Sequence, residues 1–191
     1  MKPLFKKVAI VGIGLIGGSI ALEIKKRRLA SKIVGISRHR KSILKALKIG
    51  AIDEGALKLD CINGADLLII ATPVGNILKS GPELLKHINK NCLVTDVGSI
   101  KGSIVNSMEK LFPNYVGSHP LAGSEKRGIL NAQKNLFARS VCVLTPTDKT
   151  NPAALRRVVS FWRFLGAKTM VLNPQEHDKS LCFASHLPHL I

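Results

Sequence analysis

Apolar runs without alternation recur along this chain, and between them apolar residues fall at helical spacing. Val8-Ala9-Ile10-Val11 is the first run, and residues 32–37, 66–72, 92–97, 115–118, 140–145 and 167–172 carry the others. A run that does not alternate marks a strand buried on both faces, as in a parallel sheet covered on each side by helices. Ile16, Ile20 and Ile24 stand at i, i+4 and i+8, one stripe of a helix. Residues 40–49 read as a second helix ended by Gly50, and residues 51–64 as a polar connection with one helical turn. A helical pattern after Pro73 reads as broken at Gly81-Pro82 and resumed through Leu84, Leu85 and Ile88. Ile104, Val105, Met108, Leu111 and Phe112 share a further helical face. Asn151 reads as an N-cap with Pro152 at the first helical position, ahead of the stripe Leu155, Val158, Val159, Trp162 and Leu165. A last helix starts near Gln175 with Leu181, Phe183, Leu187 and Leu190 as its apolar residues. Strand alternating with helix at this spacing predicts an α/β fold, a doubly wound and mostly parallel sheet of Rossmann-like type.

The turn between the first strand and first helix carries Gly12-Ile13-Gly14-Leu15-Ile16-Gly17. Glycines at a strand-to-helix turn are the context a dinucleotide-binding fingerprint needs. Gly12 permits the tight turn, Gly14 lets backbone approach a pyrophosphate, and Gly17 lets helix pack on strand. With Leu15 and Ile16, they form a helix N-terminus whose free N–H groups and dipole favour an anion. An acidic residue about twenty positions further on normally accepts hydrogen bonds from the ribose of NAD. Ser37 stands there instead, followed by Arg38, His39, Arg40 and Lys41 with no carboxylate nearby. A hydroxyl beside a guanidinium suits a 2′-phosphate, so NADP is favoured over NAD. Thr72 and Pro73 end a strand at the same cleft and are expected to contact the cofactor.

The composition narrows the classes. At 191 residues and 46% hydrophobic, the chain is an ordinary globular one. A formal net charge of +17 raises nucleic acid, a membrane surface or acidic ligands. The cations are spread along the chain, however, and its densest run, Lys25-Lys26-Arg27-Arg28, suits the last turn of the first helix. Aromatics for stacking on bases are few, so the charge reads as a solvated surface that favours anionic small molecules, with no nucleic-acid partner. The uncharged stretch 8–22 is too short and glycine-rich for a membrane span or a signal peptide. Cys61, Cys92, Cys142 and Cys182 lie far apart with no C-x-x-C pair, as expected of reduced thiols in a cytoplasmic protein.

Four motifs occur in order: Gly12-Ile13-Gly14-Leu15-Ile16-Gly17-Gly18-Ser19, Asp96-Val97-Gly98-Ser99-Ile100-Lys101, Ser118-His119-Pro120-Leu121-Ala122-Gly123-Ser124-Glu125 and Ser185-His186-Leu187-Pro188-His189. With them the whole chain resembles the prephenate and arogenate dehydrogenases of tyrosine biosynthesis. The resemblance implies an oxidative decarboxylation: hydride leaves C4 of a cyclohexadienol for a nicotinamide, carbon dioxide leaves C1, and the ring becomes aromatic. It matches His119 to the histidine that contacts the substrate hydroxyl. A histidine can act there as general base, and Pro120 biases it to an extended backbone at a strand's carboxyl end. It matches Ser99 to a position between nicotinamide and substrate, although Ser99 could equally be a plain N-cap. Ser124, Glu125 and His186 match substrate-binding positions. His186 and His189, at i and i+3, lack the further ligands a metal needs, and no metal is expected. His39, His87 and His177 are given no role.

The resemblance also implies a helical second domain after residue 173, which makes a homodimer and completes the substrate site. Residues 1–173 are accordingly expected to form the dinucleotide-binding domain, and residues 174–191 the first helix of a truncated helical domain. Such a chain is expected to keep the cofactor site and to bind substrate poorly. Two other readings compete. One is another fingerprint dehydrogenase of the β-hydroxyacid type, in which His119-Pro120 has no job. The other is a non-catalytic nucleotide- or nucleic-acid-binding module.

Overall fold

The structure is a computed structural model that describes residues 3–123, 126 and 128–186, the last five by backbone alone. Eight strands form one sheet: β1 (Phe5–Val11), β2 (Ala30–Ile36), β3 (Glu54–Ala56), β4 (Leu67–Ile70), β5 (Leu93–Asp96), β6 (Tyr115–Pro120), β7 (Val141–Thr145) and β8 (Lys168–Val171). Among the described residues, six α-helices accompany them: α1 (Leu15–Arg27), α2 (Arg40–Lys48), α3 (Val74–Leu85), α4 (Gly102–Met108), α5 (Pro152–Phe164) and α6 (Pro174–His186). The strand order is β3-β2-β1-β4-β5-β6-β7-β8. Strands β1 to β6 run parallel, β7 turns back antiparallel against β6, and β8 follows β7 in parallel. The order reverses between β1 and β4, and ligands of open α/β sheets bind in the crevice outside such a switch point.

The unalternating runs are buried on both faces. Val8 and Ile10 pack with Ile20 and Ile24 of α1 and with Phe161 and Trp162 of α5. Ala9 and Val11, one residue out of step, pack with Ile77 and Leu84 of α3 and with Ile104 and Met108 of α4. Asn151 caps α5 as expected, its Oδ1 accepting from the Ala153 N–H at 2.9 Å ahead of Pro152.

Three expectations about elements need correction. Residues 51–64 hold the edge strand β3 as well as a 3₁₀ turn at Leu59–Ile62. Gly55 there lies so close under Ile43 that a Cβ would be 2.1 Å from its Cγ2, so packing rather than an apolar pattern places the strand. Helix α3 runs unbroken through Gly81-Pro82. A Cβ on Gly81 would meet Leu111 Cδ1 at 2.7 Å, so this glycine permits close approach of the segment after α4 and is not a stop signal. His119 and Pro120 lie inside β6, opposite Val143 and Cys142 of β7, and not beyond the strand's end.

Candidate functional site

The parallel strands deliver their carboxyl ends to one edge, and the candidate residues gather there. Gly12 follows β1, Ser37 follows β2, Thr72 follows β4, Ser99 follows β5, and His119 sits near the end of β6. A cleft of about 520 Å³ opens at the switch point. Gly12, Gly14, Ser37, Arg38, Thr72 and Pro73 all line it. Leu15, Ile16 and Gly17 form the first turn of α1 and do not line the cleft.

Each glycine of the turn meets a different constraint. Gly12 has φ +98°, and a Cβ on it would lie 2.4 Å from the Ala71 carbonyl oxygen. A Cβ on Gly17 would lie 2.0 Å from the Gly12 oxygen, so only glycine lets α1 close on the turn. Around Gly14 nothing lies within 4 Å of such a Cβ, which leaves bare backbone at the helix N-terminus facing the cleft. Thr72 Oγ1 is buried with no hydrogen-bond partner. An orphaned hydroxyl and an open helix N-terminus in one cleft fit a phosphate-bearing dinucleotide. Ser37 Oγ accepts the His39 N–H at 3.2 Å, which turns the chain so that exposed Arg38 stands at the rim.

Two strands away, His119 belongs to a chain of polar contacts. Its Nδ1 lies 2.9 Å from Nε2 of His177 on α6, and His177 Nδ1 lies 2.8 Å from Asp178 Oδ1. Asp178 also accepts the backbone N–H groups of Lys101 at 2.7 Å and Gly102 at 2.8 Å, which fixes α6 to the start of α4. Burial pushes His119 down to about 4, helped by the nearby Lys101 and His177. Neutral His119 is therefore an acceptor at physiological pH.

Beneath it lies a fully buried ion pair. Lys101 Nζ donates to Asp96 Oδ2 at 2.5 Å and to the Ser118 carbonyl at 2.8 Å, the residue before His119. Asp96 also accepts the Tyr115 hydroxyl at 2.7 Å and the Gly98 N–H at 2.8 Å. Burial lowers Lys101, against the pull of Asp96. Ser118 Oγ accepts the Trp162 indole N–H at 3.0 Å and sits 2.7 Å from Thr95 Oγ1. The hydroxyl and the carbonyl of Ser118, the residue before His119, are thus both held.

Sequence reasoning passed over His177, which is completely buried against His119. It also gave no role to Asp96 or Lys101, although both stand in a quoted motif. Ser99 is exposed in the loop before α4 and does not cap it, since the Asp178 carboxylate takes those N–H groups. Ser124 and Glu125 lie outside the described residues, as does the side chain of His186. Among the described residues, no group of three or more His, Cys, Asp or Glu could hold a metal ion. No described helix is long and apolar enough to cross a membrane.

The family model for prephenate dehydrogenase, nucleotide-binding domain, matches residues 20–171. The chain belongs to the prephenate dehydrogenase family. The Bacillus subtilis prephenate dehydrogenase is 37% identical over 189 residues, covering 96% of this chain and 51% of that protein. Among solved structures of the family, prephenate dehydrogenase from A. aeolicus in complex with hydroxyphenyl propionate and NAD+ matches with a TM-score of 0.93 at 34% identity. The match covers 97% of this chain and 66% of that one. Synechocystis arogenate dehydrogenase matches with a TM-score of 0.91 at 34% identity, over 97% of this chain and 66% of that one. The chain thus spans about half the length of its Bacillus relative and about two thirds of these solved chains. Membership decides between the two dehydrogenase families that the glycine turn admits, against the β-hydroxyacid type.

Proposed function

We propose that this chain is the cofactor-binding half, with the catalytic base, of an enzyme that oxidatively decarboxylates prephenate or arogenate to 4-hydroxyphenylpyruvate or tyrosine. The observation that carries it is the sharing of one sheet edge by the glycine-floored cleft and a neutral His119 whose Nδ1 is already engaged. A bound nicotinamide dinucleotide supplies the hydride acceptor. Gly12, Gly14 and the start of α1 would hold its pyrophosphate, and Thr72 and Pro73 would flank it. Arg38 at the rim, with no carboxylate at the ribose position, supports NADP over NAD. His119 takes the proton of the substrate's C4 hydroxyl as hydride leaves C4 and carbon dioxide leaves C1. The family resemblance supports Ser99 as the group that would lie between nicotinamide and substrate, and Ser124, Glu125 and His186 as groups that would contact the substrate. The greater length of the relatives supports reading α6 as the first helix of a second, helical domain that makes a homodimer. The free thiols Cys61, Cys92 and Cys142 support a cytoplasmic location.

The test is a titration of the purified chain with NADP and with NAD, followed by prephenate and then arogenate while reduced-cofactor absorbance is followed. Binding without turnover is the expected signature of a cofactor-binding half, and turnover of either acid would show that this chain holds the whole site. Failure to bind either dinucleotide would overturn the reading. In protein that turns over, His119→Asn should keep cofactor binding and lose turnover by about a hundredfold or more.

A further inference from the structure

The contacts around His119 assign its protons as well as its place. Asp178 accepts two backbone N–H groups, from Lys101 and Gly102, and burial, which would raise its carboxyl, is outweighed by these donors and by His177. It is therefore an anion, and an anionic oxygen 2.8 Å from His177 Nδ1 requires the hydrogen to be on that nitrogen. His177 is fully buried, and burial holds it below the ordinary histidine range, so it carries no second proton near neutrality. Its Nε2 then bears a lone pair, and that lone pair faces His119 Nδ1 at 2.9 Å. Two lone pairs would repel there, so His119 Nδ1 must donate.

From this geometry we infer that His177, oriented by Asp178, is a positioning residue that holds His119 with its hydrogen on Nδ1 and its lone pair on Nε2. The inference rests on the reading of His119 as the base, and it states which nitrogen receives the proton. The hydroxyl O–H of the substrate would donate to Nε2. As that bond breaks, the proton passes to Nε2, and the Nδ1–H remains bonded to His177. His177 and Asp178 are neighbours on the first turns of α6, and Asp178 ties that turn to the start of α4, just after the loop that holds Ser99. One short segment therefore sets both the ring of His119 and the approach to Ser99.

Long-range 1H–15N correlation spectra of the imidazole rings near pH 7.5 test this, with the His119 signals identified by their loss in His119→Asn. Both His119 and His177 should show a protonated Nδ1 and an unprotonated Nε2. In His177→Leu, which removes the acceptor, His119 should shift toward the Nε2–H form. His177→Gln, which restores an acceptor oxygen, should bring back the Nδ1–H pattern. A wild-type His119 protonated on Nε2 would overturn the inference, and that spectrum suffices even if the Leu variant does not fold. So would an unchanged His119 pattern in a folded His177→Leu protein. The spectra need neither cofactor nor substrate, so this inference and the proposed activity fail separately.

Discussion

Lys101 and Asp96 form an ion pair with no exposed side-chain surface on either partner, and the lysine also holds the carbonyl of the residue before His119. Removing one member of such a pair strands the other charge in a medium that solvates it poorly. Lys101→Met is expected to cost about 3–5 kcal/mol, read as a lowered midpoint of urea unfolding. Asp96→Asn in the same chain should recover part of that loss. A single variant as stable as wild type would mean that the pair contributes nothing to the fold.

Gly14 and Gly17 should separate binding from folding. Gly17→Ala places a Cβ 2.0 Å from the Gly12 oxygen and is expected to destabilise the chain strongly. Gly14→Ala meets nothing within 4 Å, so the fold should be kept to within about 1 kcal/mol. A methyl there stands where a pyrophosphate would approach, so dinucleotide affinity should still fall about tenfold or more. Thermal unfolding and a dinucleotide titration on the same two samples give both answers. Unimpaired binding by Gly14→Ala would remove the phosphate from that helix N-terminus.

Arg38 lines the cleft with its side chain exposed at the rim. A charge-assisted contact to a 2′-phosphate is worth about 1.5–3 kcal/mol, or about tenfold to a hundredfold in affinity. Arg38→Ala is expected to weaken NADP by that factor and to leave NAD nearly unchanged. Equal weakening of both, measured by calorimetry, would mean that Arg38 does not read the phosphate.

Stability should fall with acid earlier than carboxylates alone would make it. His119 titrates at about 4 in the folded chain against an ordinary 6.5, and His177 is also lowered. Between those limits the unfolded chain binds more protons, so stability drops as pH falls from about 6.5 toward 4, by up to about 3 kcal/mol from His119 alone. Lower still, Glu23, Asp53 and Asp178 add to the loss. Burial raises each carboxyl, but the donors around it outweigh that and hold it below its ordinary value. Urea unfolding at a series of pH values should show the first slope in wild type and a shallower one in His119→Asn. Parallel slopes in the two proteins would take the effect away from His119.

Much of the architecture was legible because each central strand is covered on both faces, so Val8 to Val11 and Leu67 to Ile70 had to be apolar without alternation. The glycine turn was legible for a local reason, since its constraints act within a few residues or against one neighbouring strand. Other features depend on contacts made far along the chain. Strand β3 has three residues and a central glycine, and it is set by Ile43 and by Gly35 beside it. His177 meets His119 across 58 residues, and nothing in its neighbourhood distinguishes it from a surface histidine. Lys101 is one of 29 lysines and arginines, and only the fold reveals that it is wholly buried. A carboxylate five residues before it, at the end of an apolar run, was the one available signal.

The strand order also sets a schedule for folding. β1 is made first, yet its neighbour on one side is β4, about sixty residues later, and the wall that confines Gly12 is the carbonyl of Ala71. Parallel pairings across such separations bear a large loop-closure entropy before any contact repays it. During synthesis the glycine turn leaves the ribosome long before its counterpart exists, so β1 can pair with β2 on one edge while its other edge stays open until β4 has emerged. The cofactor cleft is thus a product of distant segments acting together, its lining running from Val11 to Ile129, and a nascent chain released short of Ala71 would carry the fingerprint without the pocket.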